Sequence, residues 1–82
     1  MEIEAITQRI RAGIPDAEVQ ISGDDGSHFV ALVISDAFEN LSLIQRQRLV
    51  MDTVKAELAS GELHALSLKT QTRAQAAAVN EK

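Results

Sequence analysis

Apolar residues recur at Ile3, Ile6 and Ile10, the i, i+3, i+7 spacing that lines one face of a helix. Acidic Glu2 and Glu4 precede that face and basic Arg9 and Arg11 follow it, which complements a helix dipole, and Gly13 before Ile14-Pro15 predicts the end. From Ala17 to Ser22 the period shortens. Val19 and Ile21 alternate with Glu18 and Gln20, as in a half-buried strand, and Gly23-Asp24-Asp25-Gly26 predicts a tight turn. Phe29 to Ile34 is apolar at both parities, so this segment is expected at the centre of a sheet or covered on both faces.

Ser42 and Gln45 have capping-box spacing and open a helical stretch with Ile44, Met51, Val54 and Leu58 among its apolar positions. The stretch is long for so small a domain, and Asp52-Thr53 is the expected break into two helices before Gly61 ends it. Alternation returns from Leu63 to Thr70, with His64, Leu66 and Leu68 on one parity and Ala65, Ser67 and Lys69 on the other. Thr72 and Gln75 repeat the capping-box spacing before an alanine-rich helix and a fraying tail, together about residues 72–82. The tight turn makes the first two strands antiparallel, and the helical crossover makes the second and third parallel. The expectation is a single α+β domain over residues 1–82, a three-stranded mixed sheet with helices mainly on one face. Either Val30 and Leu32 or Ala31 and Val33 would then line the open face.

At 82 residues the chain has one modest core and little material for a deep catalytic cleft. It has no cysteine, so it offers no disulfide, no thiolate nucleophile and no self-sufficient iron–sulfur or zinc ligand set. Ser27-His28 has no nucleophile elbow around it, and no enzymatic activity is expected. No apolar run approaches a bilayer span and no basic leader opens the chain; with a net charge of −4 the composition fits a cytoplasmic protein. The first 41 residues carry −6 and the rest +2.

The only two histidines, His28 and His64, open the second and third strands. If those strands are parallel neighbours, both imidazoles lie at one edge of the sheet, and in register they would share a face within reach of one metal centre. The bland alternative is a pair of solvated strand ends. Asp24 or Asp25 could add oxygen, although turn carboxylates more often serve the turn. A nucleic-acid reading would recruit Arg46, Arg48 and Lys69 from the basic half. Against it, Gly23-Asp24-Asp25-Gly26 spells GXXG but carries two carboxylates, Arg46 and Arg48 diverge on a helix, and Phe29 and Phe38 are the only aromatics for stacking.

Four segments together resemble the BolA family, and within it the IbaG-like branch: Ser22-Gly23-Asp24-Asp25-Gly26-Ser27-His28-Phe29, Phe38-Glu39-Asn40, Gln45-Arg46-Gln47-Arg48-Leu49-Val50 and Leu63-His64-Ala65-Leu66-Ser67-Leu68-Lys69-Thr70. The resemblance implies an αββααβα fold similar to class II KH domains. It also implies partnership with a monothiol glutaredoxin of the CGFS type, the two proteins bridging a [2Fe–2S] cluster in iron–sulfur trafficking or iron homeostasis. The glutaredoxin and glutathione would supply thiolates and this chain imidazole. His64 matches the family's C-terminal histidine ligand, and His28 the variable loop position proposed as the second. No cluster is expected in the isolated chain, which would be a monomer or weak homodimer. The alternative is a KH-like transcriptional regulator that binds DNA directly. The sequence departs from the family at Asn40, where Gly is usual, at Gln47 for His, at Met51 for Tyr and at Arg73 for Pro; Asn tolerates the left-handed backbone nearly as Gly does.

Overall fold

The computed structural model describes residues 1–23 and 28–80. Its elements run α1 (Ile3–Gly13), β1 (Glu18–Ser22), β2 (His28–Ile34), a 3-10 turn (Asp36–Phe38), α2 (Leu43–Thr53), α3 (Lys55–Ser60), β3 (Ala65–Gln71) and α4 (Arg73–Asn80). β2 is the central strand, antiparallel to β1 and parallel to β3. This is the α+β, mixed-sheet architecture expected from the patterning. Among the described residues no helix is long and apolar enough to cross a membrane. The turn expected over Gly23-Asp24-Asp25-Gly26 lies largely outside the described residues, as does the end of the tail, residues 81–82.

One face of the sheet carries the core. Phe29, Ala31 and Val33 of β2 point into it beside Leu66 of β3, and meet Ile6, Ile10 and Ile14 from the α1 region and Val50 and Val54 from the crossover. Burying an Ile side chain is worth about 1.5–3 kcal/mol, so α1 is held chiefly by its i, i+4 pair Ile6 and Ile10. The opposite face is open: Val30 is 55% exposed and Leu32 half-buried, which places this pair, and not Ala31 and Val33, on the uncovered side. β2 is thus apolar at both parities because it is central, without being covered on both faces.

Local chemistry fixes the junctions. The Ser42 hydroxyl accepts from the Gln45 N–H (3.2 Å) while the Gln45 side chain accepts from the Ser42 N–H (2.9 Å), a complete capping box. Thr72 and Gln75 repeat it at 3.1 and 2.9 Å. Asn40 has φ +64° and Gly61 φ +86°, so Asn takes the left-handed turn before α2 and Gly61 the one after α3. The helical break falls at Val54, one residue beyond Asp52-Thr53, where the buried Val54 side chain anchors the corner and the Thr53 hydroxyl bonds the Val50 carbonyl at 2.6 Å. Gly13 differs from expectation in its reason. Its φ is not positive; a Cβ there would stand 2.6 Å from Cγ2 of Thr53, so glycine supplies room for α1 to approach α2.

Candidate functional site

Two buried anchors present His64 to solvent. After the left-handed Gly61, the Leu63 N–H donates to the Glu57 carbonyl at 3.1 Å and its side chain is 1% exposed, while Leu66 is 8% exposed. Between them His64 is exposed and has no side-chain hydrogen bond or ion pair among the described residues. His28, also exposed, opens β2 next to the buried Phe29. Gly23 closes over this start: a Cβ at Gly23 would lie 2.8 Å from the His28 carbonyl oxygen and 2.7 Å from the Phe29 ring.

The parallel ladder brings both histidines to the same edge of the sheet, with a one-residue stagger. His28 is the Cα partner of Ala65, so His64 sits one position before the ladder, about 3.3 Å along the strand direction. The two histidines are thus one residue out of register, so the condition under which they would share a face is not met by strand pairing. By strand parity His28 belongs with Val30 and Leu32 on the open face, whereas His64 belongs with Leu66 and Leu68 on the core side. His64 lies outside β3 itself, so the pleat does not dictate where its ring points.

Among the described residues no three His, Asp or Glu side chains cluster as a metal site would require, and the chain has no cysteine. Asp24 and Asp25, the candidate oxygen donors, lie outside the described residues. Among the described residues the candidate donors on this edge are the two imidazoles. They suit a metal that is softer than magnesium or calcium and whose other ligands come from elsewhere.

The basic candidates are scattered. Arg48 is exposed on α2, and Lys69 is exposed on the open face beside Leu32. Arg46 is only 8% exposed: Nε donates to the Leu41 carbonyl at 3.1 Å, Nη1 to Oε1 of Gln75 at 2.9 Å, and the guanidinium lies 6.0 Å from the Phe38 ring centroid. Nε and Nη1 are thus engaged inside the fold. The signal for this was available: Arg46, Val50 and Val54 follow an i, i+4, i+8 spacing, the buried stripe of the crossover.

A second polar cluster, at the other end of β2, escaped the sequence reading. Asp16 accepts from the Ser35 hydroxyl at 2.5 Å and from the Asp36 N–H at 3.0 Å, and the Ser35 hydroxyl in turn caps the 3-10 turn by accepting from the Ala37 N–H. The Ser35 hydrogen bond, supported by the Asp36 amide and by Arg73, holds the Asp16 carboxyl below its ordinary value of 3.8. Arg73 donates to Glu18 Oε1 at 3.1 Å and to the Asp16 carbonyl at 2.6 Å, and its Nε lies 3.9 Å from Asp36.

A family model described as BolA-like protein matches residues 3–75. The acid stress protein IbaG of Escherichia coli is 31% identical over 75 residues, 92% of this chain and 88% of that protein. A bolA protein homologue from Coxiella burnetii superposes with TM-score 0.84 and 35% identity, covering 94% of this chain and 97% of that one. The BolA domain of SufE1 from Arabidopsis thaliana superposes with TM-score 0.75 and 36% identity, covering 87% and 91%.

Proposed function

The chain belongs to the BolA family, and from that premise we propose that it is the imidazole-bearing partner of a monothiol CGFS-type glutaredoxin, co-ligating a [2Fe–2S] cluster in cytoplasmic iron–sulfur trafficking or iron regulation. The observation that carries this reading is His64, exposed between two buried leucines, on the same sheet edge as His28, in a chain without cysteine. A donor set of two imidazoles and no thiolate is half of a site, and a glutaredoxin with glutathione brings the missing half. His64 is the principal ligand in this reading and His28 the second. Nitrogen ligation raises the reduction potential of such a cluster relative to all-thiolate ligation. In this reading the chain itself supplies an imidazole on a backbone anchored by Leu63 and Leu66, and a docking edge, and performs no catalytic step. Its fold also occurs as a domain of SufE1, which agrees with a module that works by partnership.

The test is reconstitution with a CGFS-type glutaredoxin, glutathione, ferrous iron and sulfide, followed by visible circular dichroism of wild type, His28→Ala and His64→Ala. The chain has no Trp or Tyr, so signals at 280 nm and in the visible report the partner or the cluster. His64→Ala is expected to change the spectrum and His28→Ala to change it less. A spectrum indifferent to His64→Ala removes the ligand assignment.

A further inference from the structure

We propose that α4 is a strap held down by a polar latch, with Arg73 as its clasp, and that it opens while the sheet and the other helices stay folded. In residues 73–78 of α4 only Ala76 is even half-buried, so these residues add little apolar burial to hold the helix. What fastens it is polar. Arg73 grips the Glu18 carboxylate, the Asp16 carbonyl and the neighbourhood of Asp36, reaching β1, the α1–β1 turn and the 3-10 turn at once. Gln75 makes the second attachment through Arg46. The Arg73, Glu18 and Asp36 side chains are 43%, 59% and 60% exposed, so water and salt compete with every ionic contact at the clasp. Elements with few buried apolar contacts and solvent-exposed bonds open at low free energy, independently of the core. Opening has a defined consequence: Arg46 loses the Gln75 oxygen, and the buried Thr72 loses its reciprocal cap.

Hydrogen exchange read by mass spectrometry on the full chain tests this, with residues 73–80 compared against β2. In wild type the α4 amides should exchange on the order of a hundredfold faster than those of β2, and faster still in high salt. Arg73→Ala should speed α4 exchange by about three- to tenfold and remove its salt sensitivity, leaving β2 unchanged. As an independent readout, Ala76→Cys provides the only thiol in the chain, and Arg73→Ala should raise its alkylation rate by a similar factor. The proposal is overturned if α4 and β2 exchange together, as in one global unfolding. It is equally overturned if Arg73→Ala leaves both α4 exchange and thiol alkylation at wild-type rates.

Discussion

Truncating Arg46 to alanine separates a structural from a surface role for the most buried cation of the fold. The side chain makes two hydrogen bonds from a charged donor, to the Leu41 carbonyl and to Gln75, each worth about 1.5–3 kcal/mol at most. The Phe38 ring at 6.0 Å is at the limit of a cation–π contact and adds at most about 0.5 kcal/mol. The released acceptors recover part of this. Gln75 is exposed and keeps its bond to the Thr72 N–H, and Leu41 is half-buried, so both can take up water. A net loss of about 2–4 kcal/mol remains. For a domain of this length, whose total stability is expected near 4–12 kcal/mol, that lowers the melting temperature by roughly 10–25 °C. Urea denaturation followed by far-ultraviolet circular dichroism measures it, since the chain has no Trp or Tyr to fluoresce. Exposed Arg48→Ala is the control and should stay within about 0.5 kcal/mol of wild type. Combining Arg46→Ala with Gln75→Ala should cost less than the sum of the two, by at least ~0.5 kcal/mol. An Arg46→Ala protein as stable as the Arg48→Ala control would refute the buried-clamp argument.

Gly13→Ala drives a methyl group against Thr53, and overpacking of about 1–3 kcal/mol outweighs the helix-propensity gain of up to ~1 kcal/mol; Thr53→Ser in the same chain should restore stability in thermal melts. Gly61→Ala meets no neighbouring atom, so its expected cost of about 1–2 kcal/mol is backbone strain alone, and Gly61→Asn should lose less in the same assay. Asp16 has a lowered folded-state pKa, so its ionised form stabilises the fold fully above the ordinary value of 3.8, and the contribution fades as pH falls below that value through the folded one. Stability curves of wild type and Asp16→Asn should therefore be offset by a constant amount well above the ordinary carboxylate value and converge as pH falls below it; parallel curves throughout would exclude the carboxylate as the cause.

What could be read from the sequence was local. The two capping boxes lie within three residues of their caps, and the parity of Val19 and Ile21 or of Leu66 and Leu68 is set by the strand itself, so each element was visible before folding. The central place of β2 was one of two readings of its apolar residues at both parities, and its pairing with both β1 and β3 selects it. Register was not visible. Pairing His28 with Ala65 depends on how the α2–α3 crossover and its corner at Val54 return the chain, and a shift of one residue exchanges the faces. The partners of the arginines were hidden likewise, although the burial of Arg46 was legible in its spacing from Val50 and Val54. Arg46 finds its acceptor 29 residues away in α4, and Arg73 finds its own 55 and 57 residues away, in Glu18 and Asp16. Arg73, at a position where the resemblance implies proline, has a definite structural task in its clasp on β1 and the 3-10 turn. Asn40 keeps the left-handed turn that glycine would have made.

The central claim is that an imidazole of this chain binds the iron of a shared cluster. The most direct measurement is pulsed electron paramagnetic resonance of the reduced cluster in the glutaredoxin complex, with only this chain carrying ¹⁵N-histidine. A ¹⁵N hyperfine coupling of the size seen for directly bound imidazole, reduced in His64→Ala and abolished when His28→Ala is added, is the result predicted. A cluster that forms in the complex with no coupling to a labelled nitrogen would contradict it.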